Sequence, residues 1–269
     1  MNQPSNKPTA LITGASSGIG AVYADRLAKR GHDLVLVARD EARLTALAAK
    51  LTADTGVKVD VLRADLTVKA DLKAVEQRLA SDASIALLIN NAGAAGDGGF
   101  EGADIDRLEQ LIALNVTAVT RLAAAAAQAF VARGGGAIVN VASVVAYMPE
   151  VFPGIYSATK AYVVNLSKSL QAELGPKGLY VQALLPAATA TEIWERSGRS
   201  IADLTPGTVM ATDDLVDAAL VGFDRKELIT LPSLQDAAPF EALEAGRLAL
   251  MGGFGNERPA PRYRQVVEA

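Results

Sequence analysis

The sequence predicts a doubly wound α/β fold, in which a seven-stranded parallel sheet carries helices on both faces. Three observations predict it. Short, almost wholly apolar runs recur along the chain, segments of helical period separate them, and a glycine-rich turn joins the first run to the first such segment. Continuous apolar runs suit strands covered on both sides, and a helix between successive runs supplies the long crossover that parallel pairing needs.

The first strand is expected at 9–13, reading TALIT, and it is followed by the turn GASSGIG. A helix near 19–30 comes next, with Gly31 placed to end it. Further strands are expected at 33–38, 59–64, 86–90, 137–142, 180–185 and 227–231, which makes seven. The intervening helices are expected near 40–54, 68–81, 104–132, 156–174 and 212–223, with a last one near 235–250. The alanine run from Ala123 to Ala127 reads as close helix packing and needs no function. With 269 residues and half of them hydrophobic, the chain can bury a large core as one domain over 1–269, with 1–7 as an extension and 252–269 as a Gly-, Pro- and Arg-bearing arm.

Composition excludes much. A formal charge of -4 and scattered Lys and Arg leave no basic stripe, so no nucleic-acid partner is expected. No uninterrupted apolar stretch reaches the ~18 residues of a membrane span and MNQPSNKP has no apolar signal core, so the expected location is cytoplasmic, with no membrane partner. Zero cysteines and one histidine remove disulfides, thiolate nucleophiles and most metal sites, and no metal is expected.

The turn places Gly14, Ser16, Ser17, Gly18, Ile19 and Gly20 between a strand and a helix. Glycines allow the tight path there, and unpaired N–H groups at the positive helix end suit a pyrophosphate, as in Rossmann-like folds. The same residues fit the G-x-S-x-G elbow of hydrolases. That reading fails on the base, because His32 follows the first helix and belongs at the opposite sheet edge. The second strand ends in Arg39 instead of the Asp or Glu that would bind ribose hydroxyls, which favours a 2′-phosphate and hence NADP(H) over NAD(H).

Tyr156 and Lys160 stand four apart at the start of a helix and so share a face. A cation near the phenol favours the phenolate, and lowering its pKa by ~3 units takes about 4 kcal/mol, which Lys160 and a nicotinamide cation could supply jointly. Ser143, as the last residue of the fifth strand, would present its hydroxyl at the carboxyl edge, where such sheets bind ligands. Taken singly, Ser143 could equally cap a turn, Tyr156 open a helix and Lys160 be solvated.

Together these residues resemble the short-chain dehydrogenase/reductases of the Tyr-x-x-x-Lys type, whose TGxxxGxG turn, NNAG stretch, Ser and YxxxK appear here as Thr13–Gly20, Asn90–Gly93, Ser143 and Tyr156 with Lys160. The resemblance covers roughly residues 8–232. It implies hydride transfer between NADP(H) and a carbonyl or alcohol carbon, with Tyr156 moving the proton, Ser143 holding the substrate oxygen, Lys160 binding the nicotinamide ribose, and Asn115 completing a tetrad through a proton-relaying water. It further implies cofactor contacts from Asp65 and Leu66, from Asn91, Ala92 and Gly93, and from Pro186, Thr189 and Thr191, and a homodimer or homotetramer built on helices 104–132 and 156–174. Ala187 departs from the family's Pro-Gly and predicts a more restricted backbone there. Substrate walls are expected from 94–100, 144–152 and the segment of Trp194, and they suit a small molecule such as a moderately hydrophobic ketone or 3-oxoacyl group. Two rivals are a dinucleotide-sensing or scaffold protein without chemistry, and an epimerase or dehydratase, for which the stretch after Leu231 is short.

Overall fold

The structure is a computed structural model describing residues 8–96, 99–152, 154–198 and 200–264. These fall into two compact units, one ending at Ser233 and one running from Leu234. The first unit holds strands β1 (Thr9–Thr13), β2 (Leu34–Ala38), β3 (Val59–Arg63), β4 (Ile85–Asn90), β5 (Gly136–Val141), β6 (Leu179–Leu184) and β7 (Ile229–Thr230). All pair in parallel in the order β3-β2-β1-β4-β5-β6-β7.

Its helices are α1 (Gly18–Lys29), α2 (Glu41–Thr55), α3 (Lys69–Ser81), α4 (Ile105–Ile112), α5 (Val119–Ala132), α6 (Ile155–Leu174), the short α7 (Ile193–Arg196) and α8 (Thr212–Asp224). The period-two alternation of the strands sorts the core into two layers. Ala10 and Ile12 of β1 pack with Tyr23, Leu27, Leu44 and Leu220 on the face of α1, α2 and α8. Leu11 between them packs with Val75, Leu79, Leu122 and Phe130 on the face of α3 and α5. Asp40 accepts from the Arg43 N–H at 3.0 Å to open α2, and Gly56, with φ 75°, closes it in the left-handed conformation that glycine takes without strain.

The span 105–132 departs from a plain helix. Residues Ala113–Ala118 form a π-helical segment joining α4 to α5, and Asn115 lies buried within it. Although Asp106, Arg107, Glu109 and Arg121 interrupt it, Ile105–Ala132 is long and apolar enough by length and composition to cross a membrane. Leu122, Ala126 and Phe130 are nevertheless buried against the sheet and α3, as in a core helix. Ala123, Ala126 and Ala127 have almost no exposed surface, so the alanine run does serve close packing.

The second unit contains α9 (Ala238–Ala249) followed by two 3-10 turns. The expected extension 1–7 and the arm's last residues, 265–269, lie outside the described residues.

Candidate active site

The strand order reverses between β1 and β4, and a crevice opens at the carboxyl ends of the strands there, as it does in doubly wound sheets generally. Its volume is about 1420 Å³. Its floor is the turn after β1. Gly14 and Gly18 have φ of 66° and 53°, a region that side chains avoid. A Cβ on Gly20 would stand 2.3 Å from the Gly14 carbonyl oxygen, so that position also needs glycine.

Thr13 ties the turn to the strand end next door. Its hydroxyl accepts from the N–H groups of Asn91 and Ala92, both at 3.0 Å, and the Asn91 amide donates to the Thr13 carbonyl at 2.8 Å. The wall of the crevice brings together Gly14, Ser16, Ser17, Gly18, Ile19, Arg39, Asp65, Leu66, Asn91, Ala92, Gly93, Ser143, Tyr156, Lys160, Pro186, Thr189 and Thr191. Gly20 and Asn115 stay outside the lining. Gly20 is buried beneath the turn, and the Asn115 amide is bound to the backbone of Ala94, donating at 2.8 Å and accepting at 3.0 Å, and to the Thr159 hydroxyl at 3.2 Å. A Cβ added to Gly93 would come within 3.3 Å of Asn115 Oδ1 and 3.5 Å of Lys160 Nζ, so glycine is what lets these two groups approach.

Ser143 is not the last residue of its strand, because β5 stops at Val141. Ser143 instead opens the 3-10 turn Val144–Tyr147, where its hydroxyl accepts from the Val145 N–H at 3.4 Å and donates to the Pro186 carbonyl at 3.2 Å. It therefore caps a turn and lines the crevice at once. Lys160, buried, donates to the Val141 carbonyl at 3.0 Å and holds its ammonium 5.6 Å from the centroid of the Tyr156 ring. Phe152 packs on the same ring at 5.2 Å.

The electrostatics of the protein alone run against the expected acidic phenol. Burial pushes Tyr156 up to about 12, and the hydrogen bond with Ser143 only partly draws it back. The same burial lowers Lys160 to about 8. Water is excluded more strongly than the two groups support each other's charge. Around neutrality the pair is thus a neutral phenol beside a lysine that gives up its proton as pH rises through about 8.

Asp65 accepts from the Thr67 N–H and hydroxyl at 3.0 and 2.7 Å, an Asx turn ahead of α3, while still facing the crevice. Arg39 is exposed at the crevice edge, close enough for its charge to help keep the Asp65 carboxyl below the usual range, although burial opposes this. Ala187 carries no strain, since Lys226 is the sole non-glycine among the described residues with positive φ. The Trp194 indole donates to the Thr189 carbonyl at 2.8 Å and faces the crevice, not the core. His32 lies 2.7 Å from the Pro8 carbonyl, at the amino edge of β1 and far from Ser16, which removes the hydrolase reading. Of the expected substrate walls, residues 97 and 98 fall outside the described residues.

With this geometry in view, the family model described as short chain dehydrogenase matches residues 8–201. The chain belongs to the short-chain dehydrogenase family. Among solved structures, this family member is 58% identical to a short-chain dehydrogenase from Sphingobium yanoikuyae in complex with NADPH, with a TM-score of 0.92 over 95% of this chain and 100% of that one. It is 51% identical to the bulky-bulky ketone specific alcohol dehydrogenase from Comamonas testosteroni, with a TM-score of 0.89 over 97% of this chain and all of that one. Human 17-beta-hydroxysteroid dehydrogenase type 3 is 35% identical over 185 residues, which are 68% of this chain but 59% of that protein's length.

Motif reading missed a polar chain behind the site. The Asn90 amide donates to the Val119 carbonyl at 3.0 Å, just after the π-helical segment, and to Asn140 Oδ1 at 3.2 Å, while Asn140 donates to Ser167 of α6 at 2.9 Å. This buried chain fixes the helix bearing Asn115 and the helix bearing Tyr156 to the same two strands. Asn within each of two otherwise apolar strands, Asn90 ending β4 and Asn140 one residue before the end of β5, was the signal that could have found it.

Proposed function

We propose that the chain is an NADP-dependent oxidoreductase that interconverts ketones and secondary alcohols, with ketones carrying bulky groups on both sides as its substrate class. One observation carries the reading. Ser143, Tyr156 and Lys160 meet at the same crevice as a turn whose glycines cannot carry side chains.

The residues fit a dinucleotide. Gly14–Gly20 would cradle the pyrophosphate at the amino end of α1, Arg39 would pair with the 2′-phosphate, and Lys160 would hold the nicotinamide ribose. Bound there, NADPH supplies a hydride for a carbonyl carbon. The chain's own part is to place the carbonyl oxygen between the Ser143 hydroxyl and the Tyr156 phenol. Because Tyr156 keeps its proton until about 12, it stands ready as the acid in reduction throughout the neutral range. For oxidation it must become a base, and the positive charge of oxidised nicotinamide beside Lys160 is the group able to lower it. Ala94, Ala95 and Gly96 leave room on one side of the crevice, while Phe152 and Trp194 offer broad apolar faces. The bulky-bulky ketone specificity of the Comamonas relative supports the same class. Assembly as a homodimer or homotetramer through 105–132 and 155–174, and a cytoplasmic location without nucleic-acid or membrane partners, belong to the same proposal.

The test is nicotinamide absorbance with a panel running from methyl ketones to ketones with two aryl or branched groups, using NADPH and NADH in parallel. The expected result is NADPH-dependent reduction of the bulky members. Tyr156→Phe should lower turnover about 10²–10⁴-fold while NADPH still binds. Binding of NADPH with no turnover of any carbonyl would favour the silent sensor instead.

A further inference from the structure

The segment after β6 reaches back over the phosphate turn and is locked there by charge. Glu192 lies in the crevice wall. Its two carboxylate oxygens accept from Arg43 Nη1 at 2.9 and 3.0 Å, and one of them also accepts from Arg196 at 2.5 Å. Arg196 in turn reaches the Ser17 hydroxyl of the phosphate turn at 3.4 Å.

The topology makes this more than a surface ion pair. Arg43 lies on α2, which follows β2, next to β1 on one side. Glu192 follows β6, separated from β1 on the other side by β4 and β5. A bond between them must cross the carboxyl ends of the intervening strands, where the crevice opens. Thr191 sits in the same crossing, close enough that a Cβ on Gly18 would meet its methyl at 3.2 Å.

We propose that Glu192 is a cofactor-retention residue, forming with Arg43 and Arg196 an ionic clasp that holds this segment across the phosphate turn, so that a seated dinucleotide leaves only when the clasp opens. The proposal rests on the dinucleotide reading above. All three side chains are 40–55% exposed, so the clasp is a weak latch and not a structural bond. That suits a device that must open every turnover. Two guanidiniums share the Glu192 carboxylate, and Arg43 also pairs with Asp40 at 3.4 Å, so the clasp is close to neutral and holds by its pairing, not by a net charge toward the ligand.

The dissociation rate of NADPH, read by loss of its fluorescence on displacement with excess NADP+, tests this directly. Glu192→Gln and Arg43→Ala should each speed dissociation roughly 3–10-fold, the effect of losing one or two exposed ion pairs. The double variant should be no faster than the faster single variant, because the same latch is already open. Added salt should speed release from the unaltered chain more steeply than from Glu192→Gln. An unchanged rate in Glu192→Gln would overturn the clasp alone. So would a double variant whose effect is the product of the two singles, since Arg43 would then act on the nucleotide by itself. Failure of the unaltered chain to bind NADPH would overturn both the clasp and the reading beneath it.

Discussion

The floor and the roof of the crevice are built in different ways. The floor, Thr13–Gly20 with Asn91 against it, is fixed by backbone shape and by bonds to backbone, and adding one methyl at Gly20 would drive it into the Gly14 carbonyl oxygen. The roof, Thr189–Ser197, is held by the bridge of Thr189 to Met210, one indole hydrogen bond and exposed ion pairs. The difference teaches where each task sits. The floor defines the shape of the ligand that enters, and the roof governs how long it stays.

Glycine replacements on the two sides should sharpen that contrast most. Gly20→Ala forces a backbone shift, with an expected loss of about 3 kcal/mol in stability and at least tenfold in NADPH affinity. Gly198→Ala meets nothing within 4 Å among the described residues and costs only its left-handed backbone (φ 72°), about 1 kcal/mol. Thermal melts and NADPH titration of the two variants check this, and equal losses would break the contrast. Arg39→Ala, at the rim between the two, should weaken NADPH by about 2 kcal/mol, roughly 30-fold, and leave NADH unchanged. An unchanged preference for NADPH would refute the assigned 2′-phosphate contact. The smallest effect is expected below the floor. Tyr23 of α1 is fully buried with no hydrogen-bond partner for its hydroxyl among the described residues, and burial holds its pKa far above the ordinary range. Tyr23→Phe should leave the stability read from a thermal melt unchanged or raise it, by up to about 1 kcal/mol. A clear loss would show that the hydroxyl has a role in the core.

The floor was legible in the sequence, while of the roof only the place of Thr189, Thr191 and Trp194 at the crevice was, and not the bonds that hold it, for physical reasons. Constraints that only glycine meets, continuous apolar strands and a Tyr–Lys pair one helical turn apart are local, so the residues announce them. Six strands fell within a residue or so of expectation. The seventh shrank to Ile229–Thr230, the two residues that pair with Ala183 and Leu184 of β6. Ser143 was placed at a strand end, yet it lies past the strand as the cap of a 3-10 turn. The π-helical segment at Asn115, the short α7 and the Arg43–Glu192 pair all arise from contacts between residues distant in the chain, which no local pattern carries. The acid–base balance of the protein without its cofactor was hidden from the sequence for the same reason. Spacing shows that Lys160 is near Tyr156, but not that both are so enclosed that burial outweighs their mutual support.

That balance is also where the account is most directly tested, by titrating tyrosinate absorbance with the Tyr156→Phe variant as reference, with and without NADP+. The account predicts that Tyr156 stays protonated up to about 12 in the protein alone and ionises below the free-tyrosine value of about 10 once NADP+ is bound. A phenol still protonated at about pH 10 in saturating NADP+ would contradict the role of Tyr156 as the residue that moves the proton in both directions.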